Sequence, residues 1–282
     1  MGVGATAADM ANLYSRTKAM GYSDNGELGC VFGCHVPSGS RQYSNEYVAH
    51  NLGPNITLRI DAAKTAMQNV IADAKRASNG INSIQFAIYT MQQDPSTGIV
   101  LNTVAPLSSN YSSLSQAISA IELGNNNGWV GYGDSNLSSS LSQFASAVWS
   151  TAPSGDGSAA ATPLNVVFII TDGVQDTTGW WCFWTHCTGP FDPSNCTPLK
   201  SKATVGVIYT TYLPVYNNND PAQGLEYGYA NMVAPFAAQI APNLQACASN
   251  SQYYYEATDG PALDKAMATL FASTYSTLQV MQ

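Results

Sequence analysis

The sequence predicts a doubly wound α/β domain built on a mostly parallel sheet with one antiparallel hairpin. Three observations lead there. Val166-Val167-Phe168-Ile169-Ile170 is a continuous apolar run ending in Asp172-Gly173, the pattern of a strand buried on both faces. A second such run extends from Thr204 to Tyr212. Around these runs apolar residues recur at spacings of three and four, so helices alternate with strands.

In chain order, Leu58, Ile60, Ala63, Met67, Val70, Ile71 and Ala74 place an amphipathic helix over Thr57 to Ala77, with Pro54 and Asn55 before it and Gly80 after it. Ile84 to Thr90 is rich in β-branched and aromatic residues, and a similar run begins at Ile99. Asp94-Pro95-Ser96-Thr97-Gly98 between them supplies turn chemistry, so the pair reads as a hairpin. Leu114 to Leu123 and Leu137 to Trp149 have helical spacing, and the Ser, Gly and Ala stretch from Thr151 to Ala161 reads as a connection. Helical pattern resumes from Tyr229 to Ala246, with breaks expected at Pro235 and Pro242. A short strand at Tyr253-Tyr254-Tyr255 precedes a last helix from Pro261 to about Leu278. With no internal repeat and no long linker, residues 1–282 read as a single domain carrying a disulfide-bearing insertion at 21–54 and an aromatic, Cys-rich insertion at 177–200.

Composition narrows the partners. A hydrophobic fraction of 45% can fill a core, while only 10% of residues are charged and the net charge is −8. Ten Lys and Arg residues make no basic face for a run of phosphates, which excludes nucleic acid and disfavours anionic membranes. The Tyr-rich, charge-poor composition suits an extracytoplasmic surface. No apolar run approaches the roughly 20 residues that span a bilayer, so a membrane anchor and an export signal are expected upstream.

Six cysteines suggest disulfides in an oxidising compartment, and several pairings are possible. The preferred set is Cys30 with Cys34, Cys182 with Cys187, and Cys196 with Cys247. The last pair would tie the 177–200 insertion to the C-terminal helices. Competing uses of the same residues are covalent haem at Cys30-x-x-x-Cys34-His35, whose spacing is one residue too long, and zinc held by Cys182, His186 and Cys187 with that first cluster. Trp180, Trp181, Phe183 and Trp184 beside Cys182 form either a small core or a contact patch.

Asp172 closes the most buried strand at the edge of an open α/β sheet where ligands collect, although Asp-Gly is also ordinary turn chemistry. Ser135, just before a helical run, reads first as an N-cap. The chain has no Gly-x-Ser-x-Gly elbow, His-Glu-x-x-His or Gly-Lys phosphate loop. His35, His50 and His186 fall in expected loops, and a hydrolase using Asp172 on a Rossmann-like fold is the enzymatic alternative.

Ile169-Ile170-Thr171-Asp172-Gly173-Val174 resembles the strand-and-loop signature of von Willebrand factor type A (VWA) domains. Gly2-Val3-Gly4-Ala5-Thr6-Ala7-Ala8-Asp9-Met10, Cys30-Val31-Phe32-Gly33-Cys34-His35, Leu58-Arg59-Ile60-Asp61-Ala62-Ala63, Tyr209-Thr210-Thr211-Tyr212-Leu213-Pro214 and Cys247-Ala248-Ser249 are similar in order and wording to the C-terminal region of TadG-like proteins of the Flp/Tad pilus system. The resemblance implies a bacterial, extracytoplasmic protein-binding module that is not an enzyme, with protein partners in the pilus or cell envelope. It also implies a metal-ion-dependent adhesion site for Mg²⁺ or another divalent cation, to which Asp172 would contribute from the third loop and Ser135 from the second. Hydroxyl ligands with few carboxylates would keep such an ion electrophilic. The first-loop motif Asp-x-Ser-x-Ser is not found in these residues, and its similarity to the family places Met1 just past it. The central first strand that leads into that loop is likewise expected to be missing, so the chain is expected to be a fragment or wrongly started and to bind metal weakly or not at all.

Overall fold

A computed structural model describes residues 57–78, 84–94, 99–121, 135–149, 152–159, 161–178, 186–214, 216, 221–225 and 227–280. Its centre is a parallel sheet of β3 (Val166–Thr171), β6 (Thr204–Thr210) and β7 (Tyr254–Ala257), in the order β3-β6-β7. The β3–β6 ladder runs from Val166 opposite Thr204 to Thr171 opposite Tyr209, and β7 adds Val207 opposite Tyr254. Side chains leave these strands with period two, which sorts them onto two faces. Ile169 of β3 and Val205, Val207 and Tyr209 of β6 enter one core, and Phe168, Ile170 and Ile208 enter another.

Helices cover both faces, as a doubly wound domain requires. On one side lie α1 (Arg59–Ala77) and α7 (Gly260–Val280), which bury Ala62, Ala66, Val70, Leu263 and Leu270 with Ile208. On the other lie α3 (Leu137–Gln143) and α6 (Ala237–Cys247), which bury Leu137, Leu141, Ile240 and Leu244. Gly206 of β6 admits this packing, because a Cβ there would lie 3.0 Å from Phe168 Cδ1 and 3.1 Å from Leu270 Cδ1. Two short helices, α4 (Thr197–Lys200) and α5 (Tyr227–Met232), complete the second face.

The expected hairpin is β1 (Phe86–Asp94) with β2 (Ile99–Ser108), antiparallel and interrupted by register shifts. It packs with α2 (Tyr111–Ser119), N-capped by the Asn110 side chain, through Ile88, Ala105, Leu114 and Ile118. Among the described residues no backbone ladder joins this hairpin to β3-β6-β7. Side chains make the connection: Phe86 packs in both the α1–α7 core and the hairpin core, and the buried Ser140 Oγ of α3 donates to the Val100 carbonyl at 2.6 Å. A π turn at Phe144–Trp149 extends α3, stacking Phe144 on Trp149 at 5.6 Å while Tyr89 of β1 meets Phe144 edge-on at 5.3 Å.

Several expectations are corrected. Pro242 does not break the helix but sits inside α6, where the loss of one backbone donor is offset by buried Ile240 and Leu244 on either side. Pro235 does mark a change, falling in a 3₁₀ turn at Ala234–Phe236 between α5 and α6. A second hairpin, β4 (Val174–Thr178) with β5 (His186–Pro190), occupies part of the 177–200 segment, so His186 lies in a strand and not in a loop. The 21–54 insertion, Cys30, Cys34, His35, His50, Cys182 and the aromatic residues 180, 181, 183 and 184 lie outside the described residues.

Cys196 and Cys247 are joined, 5.3 Å apart at Cα, and both are buried. The bond links the start of α4 to the end of α6, where Lys200 Nζ also donates to the Ala246 carbonyl at 2.7 Å. Replacing both cysteines by Ser should lower unfolding free energy by about 2–5 kcal/mol, read from urea denaturation, since closing a loop of this size contributes about 4 kcal/mol on chain-entropy grounds. Gly173 has φ +72°, and a Cβ there would sit 2.6 Å from Ile240 Cγ2 and 2.7 Å from Leu244 Cδ1. Gly173→Ala should therefore cost about 2–4 kcal/mol in the same measurement, combining the left-handed penalty with overpacking.

Candidate functional site

β3 ends at the carboxyl edge of the sheet, where Asp172 and Gly173 turn the chain into β4. Two local bonds fix that turn. The Gly173 amide donates to Thr171 Oγ1 at 3.0 Å, and the Val174 amide donates to Asp172 Oδ1 at 3.1 Å. The second carboxylate oxygen of Asp172 faces away from its own loop and meets Arg59, whose Nη1 donates to Oδ2 at 3.3 Å.

Arg59 is the first residue of α1 and has three partners. Besides Asp172, its Nη2 donates to the Thr211 carbonyl, and its Cζ lies 5.2 Å from the centroid of the Tyr212 ring. The Tyr212 amide in turn donates to the Tyr209 hydroxyl at 3.1 Å, and the Tyr212 and Tyr229 rings are 6.2 Å apart. Burial pushes the Tyr212 phenol far above its ordinary range; the Asp172 charge adds to that shift and the Arg59 charge opposes it. Tyr209 and Tyr229 are also raised by burial. All three shifts favour the protonated phenol.

Ser135 lies at the same end of the sheet. Its carbonyl accepts from the Asp176 amide of β4 at 3.0 Å and from the Leu137 amide at 3.0 Å. Asn136, not Ser135, caps α3, because its side chain accepts from the Ser139 amide at 3.1 Å while the Ser135 carbonyl is directed to β4. The Ser138 amide donates to Gln175 Oε1 at 3.0 Å, a second tie between the start of α3 and β4. The structure thus brings the loops of Ser135 and Asp172 to one edge through the backbone of β4.

These residues fit a divalent cation poorly. Of the Asp172 carboxylate, one oxygen is held by an amide and the other by a guanidinium. Among the described residues no group of three His, Cys, Asp or Glu is arranged to hold a metal ion. Sequence reasoning passed over Arg59, Thr211 and Tyr212 as chemistry. One signal was present: a basic residue at the first position of a helix opposes the helix dipole and calls for an external anion.

No protein-family model matches the chain, and no curated protein matches it. Among solved structures, proximal thread matrix protein 1 from the mussel byssus with a zinc-occupied MIDAS motif is 15% identical, with a TM-score of 0.45 over 76% of this chain and 40% of that one. The pilus adhesin SpaC from Lactobacillus rhamnosus GG in its open conformation is 11% identical, with a TM-score of 0.48 over 76% of this chain and 28% of that one. BatB from Bacteroides thetaiotaomicron is 13% identical, with a TM-score of 0.44 over 77% of this chain and 88% of that one. The chain thus spans well under half the length of the first two, and at these values the likeness is one of general backbone course.

Asp172→Asn keeps an acceptor for the Val174 amide and removes the charge opposite Arg59. It should cost about 1–2 kcal/mol in urea denaturation, between the values for exposed and for buried charged pairs, because the side chains are 18% and 34% exposed.

Proposed function

We propose that the chain is the greater part of a VWA-type domain of a TadG-like protein, an exported module that binds protein partners in Flp/Tad pilus assembly, adhesion or envelope anchoring and performs no catalytic step. The observation that carries this reading is the position of Asp172 at the carboxyl end of the parallel strand β3, on one edge with the loop of Ser135 and with Thr211 and Tyr212. Open α/β sheets present ligands at that edge. Ser135 and Asp172 are the proposed contributors to a metal-ion-dependent adhesion site that lacks its Asp-x-Ser-x-Ser loop in this sequence.

The rim has the mixed character of a protein contact. Leu213, 47% exposed, follows Tyr212 directly, so an apolar side chain stands beside a half-buried ion pair. The buried Cys196–Cys247 bond supports an oxidising compartment outside the cytoplasm.

Surface plasmon resonance with the immobilised chain tests this reading against purified pilin fibres and the envelope proteins of the same pilus system. Saturable binding is expected, weakened at least tenfold by Asp172→Asn in a variant whose circular dichroism matches the parent. Equal binding by the variant would remove the rim from the contact, and no binding by either would remove the pilus reading.

A further inference from the structure

The first turn of α1 presents an electrostatic conflict that only tertiary structure resolves. Arg59 stands at the helix start, where unpaired amides already concentrate positive charge. The acidic residue of that turn, Asp61, directs Oδ2 to the Leu58 amide at 2.9 Å. Asp172, 113 residues along the chain, supplies the anion for Arg59 instead.

The partners of the guanidinium are the hard oxygens that a metal ion would seek at this edge. Nη1 takes Asp172 Oδ2 and Nη2 takes the Thr211 carbonyl, while the stacked Tyr212 ring holds the guanidinium plane. The Thr211 hydroxyl is itself buried with no hydrogen-bond partner among the described residues. Withdrawing Arg59 would leave a carboxylate oxygen, a carbonyl and a hydroxyl unpartnered within two adjoining loops, which is the donor chemistry of a site for a hard divalent cation.

We propose that Arg59 is the resident cation of the carboxyl edge, a tethered guanidinium that occupies the oxygens of Asp172 and Thr211 and excludes divalent ions unless it is displaced. A tethered group acts at high effective concentration, and an incoming ion meets like-charge repulsion as well as occupied ligands. The Asp172 loop is thereby kept ordered and charge-neutral without metal. The competition itself requires no pilus partner, and its test stands apart from the binding experiment above.

Isothermal titration of Mn²⁺ and of Mg²⁺ into the 282-residue chain reads the competition directly, with Mn²⁺ electron paramagnetic resonance as a second readout. Arg59→Gln should bind Mn²⁺ at least tenfold more tightly than the parent, and Arg59→Lys, which keeps the charge, should stay close to the parent. Adding Asp172→Asn to Arg59→Gln should abolish the gain. If Arg59→Gln fails to fold by circular dichroism, Arg59→Met, which retains an apolar stem against Tyr212, takes its place with the same expectations. Micromolar Mn²⁺ binding by the parent, or no gain on removing the guanidinium, would overturn the proposal.

Discussion

The β3–β6 ladder, with apolar side chains leaving it toward helices on both faces, is the constraint from which the position of each residue at the carboxyl edge follows. Pairing Thr171 with Tyr209 brings Asp172 and Thr211 out of neighbouring strands together, so one guanidinium reaches a carboxylate on one and a carbonyl on the other. A slip of one residue would send Ile169 and Val207 to the opposite face and their neighbours into the wrong core. Burial on two sides makes that slip costly, and the geometry of the edge is correspondingly specified.

Gly173 shows how closely the second face is packed beneath that edge. Its left-handed backbone turns the chain from β3 into β4, and the absence of a side chain lets Ile240 and Leu244 of α6 approach the turn. The Cys196–Cys247 bond then holds the far end of α6 against α4, and Asn243 Nδ2 donates to the Phe191 carbonyl at 2.7 Å between them. The loop that carries Asp172 therefore rests on a helix fixed both covalently and by burial, which is how a site keeps its geometry on a loop.

The hairpin is held differently. The resemblance to VWA domains led to the expectation that the central first strand is missing from this chain, and among the described residues β1-β2 and β3-β6-β7 are separate sheets. Phe86, Met67 and the Ser140 hydroxyl connect β1 and β2 to the rest through side chains and one bond to a backbone carbonyl, without a shared ladder. The same helix, α1, thus enters the hairpin core through Ile71 and Met67 and presents Arg59 to the main sheet at its start.

The elements with an unbroken period were legible from residue order: the apolar runs through Phe168 and Val207, the three-and-four spacing of α1 and α7, and Asp172 as the residue that follows β3, although β6 and not β3 is the most buried strand, because β3 buries only Ile169 fully. Burial rewards those patterns wherever they stand, so local order suffices to find them. The β4–β5 hairpin was not legible, because Val174–Thr178 and His186–Pro190 carry no apolar alternation and owe their extended form to each other. Nor was the choice of Asn136 over Ser135 as cap, since both residue types can cap and only the fold shows the Asn136 side chain accepting from the Ser139 amide while the Ser135 carbonyl takes the Asp176 amide. Composition and periodicity alone determined an α/β domain with Asp172 just past the end of one of its central strands. Which charge stands opposite that carboxylate was decided by tertiary structure, because the ion pair joins residues 113 positions apart and no local pattern encodes a meeting of two strand ends with a helix start.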